Sequence, residues 1–183
     1  IQHGISHFYP SNIMAAHVSA SPNHQTGRVV PLKFRFDVAM TGRLGMEMKP
    51  SDFTDKEKEF AKNAIETYKQ IRPVIQQGDL YRLTSPYEKR PYVSLMYNTP
   101  EKDRAVFFLF RRHFIKDEWE TPHKMAGLDP NRKYMIREIN VENPKRKVAI
   151  DGKVVSGRFL MENGIYLTLN RDLQSVVLEL TAQ

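Results

Sequence analysis

The chain has 183 residues, no cysteine, and 40% apolar residues beside 27% charged ones. That describes a globular chain of one domain or two small ones, with a core large enough to need no disulfide, and it excludes thiol catalysis and cysteine-ligated zinc. The formal charge of +7 is spread evenly, with a net of +3 over residues 1–86 and +4 over residues 87–183, so no nucleic-acid footprint is expected.

The densest basic runs, Lys145-Arg146-Lys147 and Arg111-Arg112-His113, are short and flank predicted strands, where solvated charges discourage edge pairing. No window approaches the roughly 18 apolar residues of a membrane helix. The opening IQHGISHFYP has neither the basic nor the apolar region of a signal peptide, so a soluble chain without a membrane partner is expected. The sequence begins at Ile1, without Met, inside what reads as structured sequence, and its natural start is expected upstream.

In chain order, residues 4–9 read as a short strand. The segment HVSASPNHQTGR (17–28) concentrates polar groups into what looks like a built loop. Residues 34–48 combine a short helix with a strand over Arg43–Met48, whose flanking glycines suit close backbone approach. Thr54-Asp55-Lys56-Glu57 is a capping box, and Phe60, Ala61, Ala64, Ile65, Tyr68 and Ile71 follow at helical spacing. Pro73 is expected to kink or end that helix, and Gly78 to terminate it. Strand then helix, repeated, predicts βα units that pack on a parallel sheet.

Beyond Ser85-Pro86-Tyr87 the texture becomes all β. Strands are predicted at Tyr92–Thr99, Arg104–His113, Tyr134–Asn140, Lys147–Asp151, Arg158–Glu162, Ile165–Leu169 and Ser175–Thr181. Turn signals such as Asp151-Gly152 and Asn163-Gly164 lie between them, which predicts an antiparallel sandwich of about seven strands.

Serine-hydrolase, phosphate-loop and dinucleotide fingerprints are missing. His17 and His24 stand seven apart without a third ligand at metal spacing, and His3 and His7 have no acidic companion, so neither metal nor cofactor is expected. Trp119, in the charged stretch 116–120, reads as a loop anchor first and a sugar-stacking aromatic second.

The stretches IQHGISHFYP, HVSASPNHQTGR, PLKFRFDVAMTGRLGMEM and YKQIRPVIQQGDLYRL resemble the late part of glycoside hydrolase family 36 α-galactosidases, the melibiases. MAGLDPNRKYMIREIN and SGRFLMENGIYLTL resemble the same enzymes' C-terminal β-domain. The resemblance implies a parent that cleaves terminal α-galactosides with retention, of which this chain holds only the end. Residues 1–84 would be the last βα units of a (β/α)8 barrel, and residues 85–183 a C-terminal antiparallel β-sandwich domain.

The partner implied is an α-galactoside, bound through the parent barrel. Loops after barrel strands form the active face of that fold, so His17, Asn23, His24 and Arg28 are the candidate substrate-binding residues. No catalytic residue is assigned, because the family's nucleophile and acid/base motifs belong to earlier barrel segments. Ser51-Asp52-Phe53-Thr54-Asp55 matches the acid/base pattern by letter only, and helix capping already accounts for it. The second reading is a non-catalytic β-sandwich module that binds sugar or packs on a catalytic domain.

Two βα units alone leave a strand edge and an apolar helix face bearing Phe34, Phe36, Phe60, Ile65 and Tyr68. Either self-association into a homo-oligomer or packing against the β-domain in a non-barrel arrangement is expected to cover them.

Overall fold

A computed structural model describes residues 1–116 and 119–183. The first half is built as β1 (Ala15–Ser19), α2 (Leu32–Ala39), β2 (Arg43–Glu47) and α3 (Asp55–Gln77), preceded by the short helix α1 (Gln2–Ile5). β1 and β2 pair in parallel, from Ala15 opposite Arg43 to Ser19 opposite Glu47. The strand expected over residues 4–9 is instead helix and turn, closed by Ile5 N donating to Ile1 O and Ser6 Oγ donating to His3 O.

The capping box forms as predicted: Glu57 N donates to Thr54 Oγ1 and Thr54 N donates to Glu57 Oε2 (2.9 Å). Pro73 neither ends nor interrupts α3, which runs on to Gln77. Its ring removes one backbone donor, but Ile71, Val74 and Ile75 around it are buried in the core, and that burial outweighs one lost hydrogen bond. Gly78 is the C-cap residue, and a Cβ there would collide with two backbone carbonyls, Val74 O and Asn98 O.

The second half contributes β4 (Tyr92–Asn98), β5 (Arg104–Arg111), β6 (Lys133–Ile139), β7 (Val154–Ser156) and β8 (Gln174–Ala182). With β3 (Asp79–Thr84) they make one six-stranded antiparallel sheet ordered β3-β4-β5-β8-β6-β7. The antiparallel character was legible from the alternating strands and tight turns. β3 was not, because DLYRLT is short and abuts the helix end.

Both faces of the sheet are covered, which is why YVSLMYN and RAVFFLFR are almost continuously buried. Val93, Leu95, Tyr97, Val106, Phe108, Phe110 and Val177 join α2, α3 and the β1–β2 pair in one cluster. On the opposite face Met96, Phe107, Leu109, Ile136, Val176 and Leu178 pack against α4 (Gly157–Glu162) and the chain around Met125 and Ile165–Leu169.

Three predicted strands take other forms. Arg158–Glu162 lies in α4, where Ser156 Oγ accepts from Phe159 N (3.2 Å) as an N-cap. Residues 147–151 are largely turn, and residues 165–169 keep one bridge, between His123 and Ile165.

The apolar helix faces are covered by the β-sheet. Phe34 meets Phe110 of β5 edge to face at 5.5 Å, Phe36 meets Phe60 at 5.9 Å, and Phe36 and Tyr68 are buried. Phe60 and Ile65 pack at the margin of the same cluster. Phe34 thus packs directly on the sheet, and the other four share the cluster that joins the helices to it.

Candidate substrate-binding loop

Because β1 and β2 are parallel, their C-terminal ends open on the same side, and the chain that follows each leaves from there. In sheets of parallel strands this is the side on which function collects. After β1 comes loop 20–31; after β2 come residues 48–54, with a 3-10 turn over Pro50–Asp52.

β1 alternates as a strand with one packed face must: Ala16 and Val18 are buried, while Ala15 and His17 face outward. The His17 ring lies across Gly45, its register partner on β2, and a Cβ at Gly45 would come within 2.7 Å of His17 Cδ2. His17 Nδ1 stands 3.7 Å from Glu47 Oε2 with both groups open to water, so that contact contributes little stability.

The loop is organised around Asn23. Its Oδ1 accepts from Gln25 N (3.1 Å), Thr26 N (3.0 Å) and Thr26 Oγ1 (3.0 Å). Asn23 N donates to Arg28 O (2.9 Å) and Gly27 N to Asn23 O (2.8 Å), with Gly27 at φ +65, where a side chain would be strained. Ser21 Oγ accepts from Val30 N (2.9 Å) and closes the base.

Asn23, His24 and Arg28 are therefore brought together in one turn, whereas His17 stands apart on the strand that feeds it. His24 and Arg28 are exposed, and Arg28 Nε only reaches Thr26 Oγ1 at 3.5 Å. The turn presents an imidazole, a guanidinium and an amide whose oxygen is already engaged, a surface rich in hydrogen-bond donors. Among the described residues no group of three His, Cys, Asp or Glu is placed to hold a metal ion.

Asp52 lies exposed in the 3-10 turn with Ser51 Oγ 3.4 Å from its Oδ1, immediately before the Thr54 cap. Trp119 is 92% exposed, so it is not tucked onto the sheet as a loop anchor. Asp117 and Glu118 beside it lie outside the described residues. Sequence reasoning passed over Arg35, whose Nη1 donates to Ser19 O (2.5 Å) and Nε to Val30 O (3.1 Å), the two ends of the loop. Nothing in the sequence marks it, since its two close partners are backbone carbonyls and its third, Met48 Sδ at 3.8 Å, lies 13 residues on.

Comparison with known proteins matches residues 1–78 to the Melibiase family model and residues 92–180 to the glycosyl hydrolase family 36 C-terminal domain. The chain is similar to alpha-galactosidase AgaA of Geobacillus stearothermophilus, 39% identical over 144 residues that cover 77% of this chain and 19% of that protein. It is similar also to alpha-galactosidase C of Emericella nidulans, 34% identical over 185 residues that cover 100% of this chain and 22% of that one. A crystal structure of AgaA in complex with stachyose superposes with a TM-score of 0.89 at 34% identity, covering 100% of this chain and 24% of the other. A raffinose complex of the same enzyme gives 0.88 at 33% identity, again covering 100% of this chain and 24% of the other. The chain thus spans about a fifth to a quarter of the length of the relatives it matches.

Proposed function

The chain belongs to glycoside hydrolase family 36, matching a C-terminal portion of it, and on that premise we propose that it is the end of a retaining exo-α-galactosidase acting on terminal α-galactosides. In this reading the first 84 residues supply the last βα units of a (β/α)8 barrel, with β3 at their end already joining the antiparallel sheet, and residues 85–183 form a C-terminal antiparallel β-domain of the sandwich type. The α-galactoside is taken from the outer side of loop 20–31. His17, Asn23, His24 and Arg28 bind it, and the two catalytic carboxylates come from barrel segments other than these.

The observation that carries the reading is the parallel β1–β2 pair with the Asn23-organised loop at its C-terminal end. A barrel places substrate-binding loops at that end of its strands. The β1-α2-β2-α3 order is the repeating unit of such a barrel, and the AgaA complexes with raffinose and stachyose are consistent with an α-galactoside ligand.

The division of labour follows from the chemistry. Retaining hydrolysis uses one carboxyl as acid/base and a second as nucleophile, about 5–5.5 Å apart across the glycosidic bond. Hydrogen bonds from an imidazole and a guanidinium to sugar hydroxyls fix the ring against that pair without entering the bond-making step.

The test is kinetic, in the complete protein that contains this chain, with an aryl α-galactoside as substrate. His24→Ala and Arg28→Ala are expected to raise KM about tenfold each, the cost of one charge-assisted or buried polar contact. Unchanged KM in both variants would remove the loop from the substrate site.

A further inference from the structure

Asp37 of α2 is fully buried, and a carboxylate taken wholly out of water is tolerated only when it is paired and hydrogen-bonded. Its partners come from two parts of the chain. Lys33 Nζ (2.5 Å) reaches it from the same helix, whereas Asn140 Nδ2 (2.6 Å) and Ser175 Oγ (2.6 Å) reach it from the six-stranded sheet. Ser175 belongs to β8, and Asn140 follows β6 directly, at φ 53. Two residues back along α2, Arg35 holds Ser19 O and Val30 O, the two ends of the candidate loop.

Residues two apart on a helix project to opposite sides of its axis, so one short helix touches the sheet with Asp37 and the loop base with Arg35. The far end of α2 is fixed as well. Tyr97 Oη of β4 donates to Thr41 O (2.7 Å) and Tyr68 Oη of α3 donates to Gly42 O (2.7 Å), clamping the turn into β2.

We infer that Arg35 and Asp37 are positioning residues for loop 20–31. Asp37 anchors α2 in the frame of the β-sheet, and Arg35 sets the separation of the loop's ends, so the packing of the last strand determines where Asn23, His24 and Arg28 stand. The sheet is then part of the loop's geometry and not only a cover for apolar helices. The consequence for substrate binding rests on the reading of this loop as cleft lining; the mechanical coupling does not.

The coupling is tested by hydrogen exchange on this chain. The amides of Asn23, Thr26, Gly27 and Val30 are engaged within the loop and report its opening. Arg35→Met keeps the aliphatic stem and removes the donors, and is expected to speed their exchange about tenfold or more while amides of β4 and β5 are unchanged. Arg35→Lys, which can reach one carbonyl but not both, restores part of the protection. Ser175→Ala, whose site is 138 residues from Asp37 in sequence, is expected to loosen the same four amides several-fold through Asp37 alone.

Unchanged loop exchange in Arg35→Met, or equal acceleration of loop and sheet, would overturn the latch. An unaltered loop in Ser175→Ala would overturn the anchor. In the complete protein the same Arg35→Met change is expected to raise KM for an aryl α-galactoside about tenfold with kcat far less affected. A loosened loop with unchanged KM supports the coupling and overturns the cleft reading instead.

Discussion

His17 and Gly45 face each other across the parallel pair, and the imidazole occupies the space that a β-carbon on residue 45 would need. The contact at 2.7 Å is with a ring carbon at the end of a rotatable side chain, not with backbone. Gly45→Ala is therefore expected to leave stability within about 1 kcal/mol of the wild type, while it displaces the His17 ring. If loop 20–31 lines the cleft of an α-galactosidase as proposed, this reads in the complete protein as an unchanged melting temperature with a raised KM for an α-galactoside. A raised KM accompanied by a fall of ten degrees or more would show that the glycine serves packing instead.

At Gly78 the same substitution has the opposite expectation. The added carbon would meet two backbone carbonyls, Val74 O and Asn98 O, and neither can move without shifting α3 against β4. Gly78→Ala is expected to cost about 2–3 kcal/mol, as overpacking does, and to lower the melting temperature by several degrees. A shift under one degree in calorimetry would contradict the close approach.

The acid limb of stability carries a contribution from His123. Burial holds its pKa down, from 6.5 to about 4, with the ring edge against Tyr92 at a centroid distance of 5.0 Å. A histidine whose folded pKa lies below its unfolded value leaves the folded state at full strength above 6.5, and stability is lost as pH falls from there towards about 4. The loss amounts to about 3 kcal/mol in order of magnitude. His123→Phe keeps an aromatic edge beside Tyr92 without the titration, so its unfolding free energy should vary less between pH 6.5 and 4 than that of the wild type. Parallel pH profiles for the two proteins would exclude His123 as the source.

Glu57 acts in the same direction, through a carboxylate rather than an imidazole. The hydrogen bond from Thr54 N, then the one from Thr54 Oγ1, holds its carboxyl below the ordinary 4.5. A depressed carboxyl stabilises the fold above its unfolded pKa, and that stabilisation is lost as pH falls through the folded value. Glu57→Gln should then be less stable than the wild type at pH 7, and the gap should close as pH falls through the folded value. A stability gap that persists at low pH would place the effect in packing rather than in the charge.

What could be read in advance divides along the range of the interactions. The α3 cap involves residues three apart, and the two central strands are long apolar runs, so both are written locally. The Asp37 node joins residues 103 and 138 positions apart, and in sequence its carboxylate looks like any surface charge paired i,i+4 with a lysine. The segment Arg158–Glu162 read as a strand because Phe159, Leu160 and Met161 are consecutive and apolar. The informative residue was Ser156, whose cap starts a helix instead. In loop 17–28 the polar composition pointed to a built turn, but only coordinates show that Asn23 spends its oxygen on the loop itself.

The remaining expectation concerns the parallel pair. Phe34, Phe36, Phe60, Ile65 and Tyr68 are covered by the sheet or by one another, so the apolar helix face no longer offers a surface for self-association. The strand edges do. β1 pairs with β2 and β2 with β1, and among the described residues each has one neighbour, which leaves two rows of backbone donors and acceptors open. A closed barrel would pair those rows with its other strands. Sedimentation velocity of the isolated 21.3 kDa chain at tens of micromolar is therefore expected to show species heavier than the monomer. Ala15→Pro, which removes a donor from one edge, should shift the distribution back towards monomer. A wild-type chain that sediments only as monomer, with residues 1–84 resistant to proteolysis, would show that these edges are satisfied without a partner and would remove the argument for association.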